Sequence, residues 1–186
     1  MPLSRVLIIE DDQIFLDTLS STLRLKLPDT YIETADSALT ALERIRSGEY
    51  AAIIADAHQP RLEGIGFVRA VHKIHPQCPV LLLFEKQQED FFRQAMHAGA
   101  YDVLVKPVDE GTLLFAVRRA IEVSRLRRQV RREEAQLVDS VGRVMKDLEV
   151  LYGAYGLQGH FEALMASAEV EDKKSPGVLN KDETGT

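Results

Sequence analysis

The stretch Ala51-Ala52-Ile53-Ile54-Ala55-Asp56 is an apolar run that ends in a carboxylate. A run of this length is too short for a helix and is typical of a buried strand in a parallel sheet. Comparable runs occur at residues 6–9, 80–83 and 103–105, with a weaker one at 31–35. Helical patterns follow them at about residues 14–27, 37–47, 64–74 and 87–98, and from 109 onward. This alternation predicts an α/β fold in which strand and helix repeat five times around a doubly wound parallel sheet.

Charged side chains stand where these predicted strands end. Glu10 and Asp11 follow the first strand, and Asp56 and Lys106 end the third and fifth, with Asp56 45 residues after Asp11 and 50 before Lys106. Ligands of such sheets bind outside the carboxyl ends of the strands. Carboxylates crowded there raise each other's pKa unless a cation neutralises them. The pattern favours Mg²⁺, which keeps coordination sites open for phosphate oxygens, and Lys106 adds a compact positive charge for those oxygens.

These residues, taken together, resemble the receiver domain of bacterial response regulators. The resemblance rests on the stretch 6–12, on Asp56 with Pro60 four residues later, on Ala98-Gly99-Ala100, and on Lys106-Pro107. It covers roughly residues 3–122 and is specific because the motifs keep both their order and their spacing. It implies a flavodoxin-like five-stranded sheet of order 2-1-3-4-5, here followed by a long C-terminal helix.

The resemblance also implies roles for the site residues. Asp56 would be the phosphoacceptor, phosphorylated by a histidine kinase or a phosphotransfer protein, and Lys106 would contact the phosphoryl group. The Mg²⁺ ligands would be Asp11 directly, Glu10 through water, Asp56, and the backbone carbonyl of His58. The ring of His58 either tunes dephosphorylation or faces solvent. Only self-phosphorylation and dephosphorylation are expected, with no enzymatic turnover of a separate substrate.

Two positions depart from the family pattern. Phe84 stands where the family has Ser or Thr, and Val103 stands where it has an aromatic residue. Losing a charge-assisted hydrogen bond to the phosphoryl group would cost about 1.5–3 kcal/mol of the preference for an activated conformation. With these two departures, the conformational switch typical of the family is in question, whereas the acceptor chemistry of Asp56 is not affected. Glu85, which replaces a small residue, is expected to face solvent.

A second region follows the predicted receiver domain of residues 1–122. The last helical pattern continues from Asp109 to about Tyr152, and we interpret residues 123–152 as a coiled-coil extension that forms a parallel homodimer. Its seam has steps of three and four, with a gap at Glu133, and comprises Val123, Leu126, Val130, Leu137, Val141, Val144, Leu148 and Leu151. The alternative is a helix that breaks near Gly142 and folds back. For residues 153–170 we predict a short helical segment, with the helix at about 161–168. For residues 171–186 we predict a disordered tail, because the composition is polar with few apolar residues.

Composition limits the remaining function classes. A net charge of −6 argues against nonspecific nucleic-acid binding by the whole chain. Glu122, Glu133 and Glu134 flank a basic cluster and favour interhelical salt bridges or a solvated face over a DNA contact. The cluster comprises Arg125, Arg127, Arg128, Arg131 and Arg132.

The cysteine content and the lack of an apparent targeting segment favour a cytoplasmic protein. The lone Cys78 excludes an intrachain disulfide, and neither a signal peptide nor a spanning segment is apparent, so we expect a cytoplasmic protein without membrane contact. His72 and His75 have a spacing that could bind a metal, but they are expected to be surface side chains.

Three hypotheses follow for function. The leading one is a phosphorylation-controlled receiver of a two-component system that acts through a coiled-coil dimer on an effector protein, or on an output domain missing from a truncated chain. The second is a phosphorylation-independent scaffold for protein–protein interaction, which Phe84 and Val103 would permit. A DNA-binding regulator that uses the arginine cluster ranks last.

Overall fold

A computed structural model of the chain describes residues 4–58, 64–85 and 89–172. Within these ranges, parallel strands form a five-stranded sheet of order β2-β1-β3-β4-β5. The strands are β1 (Ser4–Ile9), β2 (Thr30–Ala35), β3 (Ala52–Asp56), β4 (Val80–Glu85) and β5 (Asp102–Lys106). The predicted fold class and strand order are confirmed. Pro60 of the receiver-like pattern and most of the predicted disordered tail lie outside the described residues.

Helices connect and follow the strands. They are α1 (Gln13–Lys26), α2 (Ala38–Ser47), α3 (Gly64–Ile74), α4 (Glu89–His97), α5 (Glu110–Ala154) and α6 (Gln158–Asp172). The helix α5 passes through Gly142 without interruption, so the alternative break there is wrong. The helix α6 extends beyond the predicted 161–168 at both ends and includes the first two residues of the predicted disordered tail.

Each face of the sheet carries its own apolar core. In β1, Leu7 and Ile9 belong to the cluster on the side of α2, α3 and α4, while Val6 and Ile8 belong to the cluster with α1 and α5. Alternate side chains of a strand point to opposite faces, and both faces here are covered by helices. A central strand such as β3 is therefore buried at every position. Its sequence is a short, unbroken apolar run, and this run predicted the strand.

The junction between α5 and α6 is closed by local hydrogen bonds. Gly156 has a φ of +68°, which favours glycine, and its N–H donates to the carbonyl of Gly153 at 3.2 Å. The N–H of Leu157 donates to the carbonyl of Tyr152 at 2.7 Å. These two bonds form a Schellman motif, which satisfies carbonyls at the end of α5.

The described contacts divide the chain into two compact units, Met1–Val130 and Arg131–Thr186. Within the first unit, α5 keeps contact with the rest of the domain beyond residue 122. Ser124 is buried, and a guanidinium N–H of Arg127 donates to the carbonyl of Gln77 at 2.8 Å. The division at residue 122 stays a prediction, and these contacts favour a later one.

The arginine cluster has partners within its own chain. Arg125 pairs with Glu122 at 2.8 Å on the same helix, and Arg128 lies 3.7 Å from Glu49. Interhelical pairing of the cluster stays a prediction, and the exposed Arg125–Glu122 pair is consistent with the alternative of a solvated face.

His72 and His75 support loops. The Nε2 atom of His72 lies 3.0 Å from the carbonyl oxygen of Cys78, and that of His75 lies 2.8 Å from the carbonyl oxygen of Ile45. Both side chains are partly buried, so the expectation of simple surface histidines is corrected. Each ring satisfies a backbone carbonyl near the end of an element, a role that sequence spacing does not reveal.

Cys78 should resist alkylation while the protein is folded. Burial raises the pKa of its thiol to about 12 from an ordinary 9.0, so the reactive thiolate should be about a thousandfold rarer at pH 8. We expect iodoacetamide to label the native protein at least that much more slowly than the urea-unfolded protein. Comparable labelling rates in the two states would contradict the burial of this thiol.

No helix in the described part of the chain combines the length and apolar character needed to cross a membrane.

Candidate functional site

An acidic pocket lies at the carboxyl ends of the central strands. Glu10 and Asp11 follow β1, Asp56 ends β3, and β1 and β3 are hydrogen-bonded neighbours. Carboxylate oxygens of these three residues lie within 4.8 Å of one another. The predicted convergence of carboxylates at one edge of the sheet is therefore confirmed, and it follows from parallel strands ending side by side.

The three consecutive acidic residues after β1 have different environments. Glu10 is 2% exposed, whereas Asp11 is open to solvent. Asp12 is the N-cap of α1, where one carboxylate oxygen accepts hydrogen bonds from the N–H groups of Ile14 and Phe15 at 2.9 and 3.1 Å. Asp12 is thus used to start the helix, because the first N–H groups of a helix need acceptors. Glu10 and Asp11 are left to face the pocket.

Lys106 brings a positive charge into this pocket from the end of β5. Its Nζ lies 2.8 Å from Oε2 of Glu10 and 3.2 Å from Oδ1 of Asp56. Burial alone would lower the pKa of Lys106, but the hydrogen bond to Glu10 and the charges of Asp56 and Glu10 outweigh it and raise this pKa. The lysine therefore stays charged at neutral pH. Burial raises the pKa of Glu10 in spite of the lysine.

The donor set suits a hard divalent cation. Among the described residues of the pocket, three carboxylates face one ammonium group, so the ionised groups carry an excess of negative charge. All of the clustered ligand atoms are oxygens, and Asp11 leaves one side open to solvent. Mg²⁺ takes few protein carboxylates and retains waters, so these residues fit it.

Phe15 adds an aromatic ring that sequence reasoning missed. Nζ of Lys106 lies 4.7 Å from the centroid of this ring, within the range of a cation–π interaction. Phe15 is partly buried and packs against the core beneath α1 and α5. The available signal was an aromatic residue in the first turn of α1, immediately after the acidic trio.

The start of α3 lies close to the backbone that follows Asp56. The N–H of Gly64 donates to the carbonyl of Ala57 at 2.9 Å, and a Cβ on Gly64 would lie 2.9 Å from Cα of Ala57. Only glycine allows α3 to start so close to the end of β3. His58 is exposed, two residues after Asp56. The metal-binding role of its carbonyl and the role of its ring stay predictions.

The two departures from the receiver pattern both lie in the apolar core. Phe84 and Val103 are 6% and 7% exposed and belong to the same apolar cluster. The ring of Phe84 stacks on Phe91 of α4 with 5.4 Å between centroids. Phe84 thus fastens β4 to α4 by apolar contact at a position where the family carries a hydroxyl. Glu85 is exposed, as predicted.

Comparisons with known proteins identify the family of the chain. The family model "Response regulator receiver domain" matches residues 6–118. The chain is 33% identical over 124 residues to the C4-dicarboxylate transport transcriptional regulatory protein DctD of Pseudomonas aeruginosa, a match that covers 66% of this chain and 26% of that protein. The chain therefore spans about a quarter of the length of this curated relative.

Solved structures show the same fold. A response regulator receiver domain protein from Clostridium thermocellum superposes with a TM-score of 0.63 at 28% identity, covering 67% of this chain and 98% of that one. An adenylate cyclase structure from Rhodopirellula baltica gives 0.64 at 26% identity, covering 73% and 97%. Since the family match extends over more than half of the sequence and includes the acidic pocket, the chain belongs to the response regulator receiver domain family.

Proposed function

We propose that this chain is a phosphoacceptor module that receives a phosphoryl group on Asp56 from a phosphohistidine of a histidine kinase or phosphotransfer protein. The observation that carries the proposal is the position of Lys106, whose Nζ lies within 3.2 Å of both Asp56 and Glu10, beside the exposed carboxylate of Asp11. A nucleophile, a cation-binding carboxylate pair and a fixed positive charge are the parts that phosphoryl transfer needs.

The residues divide the chemistry between them. A carboxylate oxygen of Asp56 attacks the phosphorus, the P–N bond to the imidazole breaks, and the imidazole nitrogen keeps the electron pair. Lys106 is close enough to turn from Asp56 to an equatorial phosphoryl oxygen, where charge accumulates in the transition state. Mg²⁺, held by Glu10, Asp11, Asp56 and the carbonyl of His58, would neutralise phosphoryl charge when bound. Water then hydrolyses the acyl phosphate and restores Asp56.

Binding of beryllofluoride, a mimic of the phosphoryl group, tests this proposal. We expect the wild-type chain with Mg²⁺ to bind it and to show NMR shift changes around Asp56, and Asp56→Asn to lose this binding, because the acceptor oxygen is replaced by an amide. Asp90→Asn is the matched control, since Asp90 is an exposed carboxylate that pairs with Arg93 on the same helix. A wild-type chain that binds no beryllofluoride, or an Asp56→Asn chain that binds it equally, would overturn the proposal.

The signal would pass to an effector protein or to an output domain outside these residues. The relatives include a transcriptional regulatory protein and an adenylate cyclase, so different outputs occur in proteins similar to this chain. We propose a homodimer formed through the extension as the coupling element. It is supported by a stripe of exposed apolar side chains within Arg131–Thr186, which comprises Leu137, Val141, Val144, Leu148 and Leu151. Turnover of a separate substrate is not part of this proposal, and the cytoplasmic location stays a prediction.

A second candidate is a scaffold that acts without phosphorylation. It is favoured by the burial of Phe84 and its stacking on Phe91, which fill the position of the family's hydroxyl. In a strain carrying Asp56→Asn, unchanged signalling output would favour the scaffold, whereas lost output would favour the phosphoacceptor. The DNA-binding hypothesis ranks last, because the net charge of −6 opposes nonspecific binding and acidic residues lie beside Arg125 and Arg128.

A further inference from the structure

We infer that Phe15 is a positioning residue that holds the ammonium group of Lys106 in line with the acceptor carboxylate. The inference deepens the proposed function and rests on it for its catalytic meaning. Its geometric part stands alone, since it concerns two side chains of the free protein. The lysine ammonium is in contact with Glu10 and Asp56 by ion pairs and with the Phe15 ring by a cation–π contact.

A lysine side chain needs such support. Its ammonium group is a point charge on a flexible four-carbon stem, and fixing the stem costs rotamer entropy. The two carboxylates share the ammonium group, since Nζ lies 2.8 Å from Glu10 and 3.2 Å from Asp56. The ring at 4.7 Å gives the ammonium a third contact and shields it from water. Lys106 remains only 21% exposed.

The position of the ring is itself determined by the acidic trio. Oδ1 of Asp12 accepts the N–H of Phe15 at 3.1 Å, which fixes the backbone of Phe15 in the first turn of α1. The ring then packs against the core beneath α1 and α5. Asp12 is not one of the clustered carboxylates. It contributes to the pocket indirectly, because it holds the backbone of Phe15, whose ring contacts Lys106.

Holding the Lys106 side chain in place before the phosphoryl group arrives should strengthen binding of that group. A lysine already directed toward the acceptor loses less freedom when a phosphoryl oxygen arrives, so binding energy is not used to order it. Removing the ring while leaving the carboxylates in place should weaken capture of a phosphoryl mimic. From the usual strength of partly desolvated cation–π contacts, we expect roughly 3- to 30-fold weaker binding.

The first test uses NMR of the full chain without metal or phosphoryl mimic. Protons that lie over the face of an aromatic ring are shifted upfield, so the ε-methylene signal of Lys106 should be upfield in the wild type. We expect Phe15→Leu to abolish this shift and Phe15→Tyr to retain it. Phe115→Leu is the matched control, because Phe115 is an exposed phenylalanine with its own cation partner, Arg119. An unshifted lysine signal in the wild type would overturn the inference.

The second test is a double-mutant cycle on beryllofluoride affinity at saturating Mg²⁺. Phe15→Leu should weaken binding in the wild-type background and should have no further effect in the Lys106→Ala background. Phe15→Tyr should keep the wild-type affinity, because it retains the aromatic ring. Equal losses in both backgrounds would mean that Phe15 acts only through general stability and would overturn the inference. If the wild type binds no beryllofluoride, the proposed function fails, while the NMR result still decides whether Phe15 positions Lys106.

Discussion

Lys106→Ala is expected to slow phosphorylation of Asp56 by about 100-fold or more, which is the usual cost of removing one group that stabilises developing charge. The variant leaves the buried Glu10 and Asp56 without the ammonium that contacts both of them. The same loss of positive charge should keep or strengthen Mg²⁺ binding, because the Lys106 ammonium no longer competes with the metal ion for the carboxylates. One substitution is therefore expected to slow phosphoryl transfer without weakening metal binding.

The measurement is phosphorylation of the full chain by a small-molecule phosphodonor, followed by mass, together with Mg²⁺ affinity by NMR titration. Lys26→Ala serves as the control, since Lys26 is a half-exposed lysine that pairs with Glu110 on α5. Its loss should leave both quantities within about twofold, as for other surface ion pairs. Phosphorylation of the Lys106→Ala variant at the wild-type rate would show that the lysine does not contribute to transfer.

The sheet could be predicted from the sequence because its determinants are local. Strand β3 is buried at every position, so it appears as an unbroken apolar run, and Asp56 marks its end. Parallel strands that end at the same edge then bring Asp56 near Glu10 without any knowledge of distances. Even the weak pattern of β2 formed a strand, because it pairs along its whole length with β1.

The parts that the sequence did not predict depend on contacts between distant residues. The donation from Arg127 to the carbonyl of Gln77 joins residues 50 positions apart, and no helical periodicity reports it. The same holds for Phe15, which meets Lys106 only after the sheet has formed. Asp12 could have been assigned as a helix cap from its place before α1, since Asp is a favoured N-cap residue.

The departure at Phe84 illustrates a third case. Its identity was enough to predict a missing hydroxyl, but the stacking on Phe91 was not predictable, because helix–strand packing is set by the whole core. Phe84 is not an isolated loss, since the ring fills the space between β4 and α4 and contributes to the core. A phosphoryl group on Asp56 therefore has no hydroxyl to attract at this position.

Val144→Asp is expected to convert a homodimer into a monomer. Val144 is 58% exposed in the single chain and lies in the apolar stripe, three residues after Val141 and four before Leu148. In a two-stranded coil it would face its own copy, so the variant would bury two like charges against each other without partners. A cost of several kcal/mol corresponds to at least a hundredfold weaker association.

Val150→Asp provides the matched control for this change. Val150 is 65% exposed on the same helix, but it lies outside the seam, about 120° around the helix from Val144 at 3.6 residues per turn. Light scattering of the full chains at about 10 μM should give close to twice the chain mass of 20.9 kDa for the wild type and Val150→Asp, and a mass close to that of a single chain for Val144→Asp. A monomeric wild type, or a Val144→Asp variant that stays dimeric, would show that this stripe does not hold two copies together.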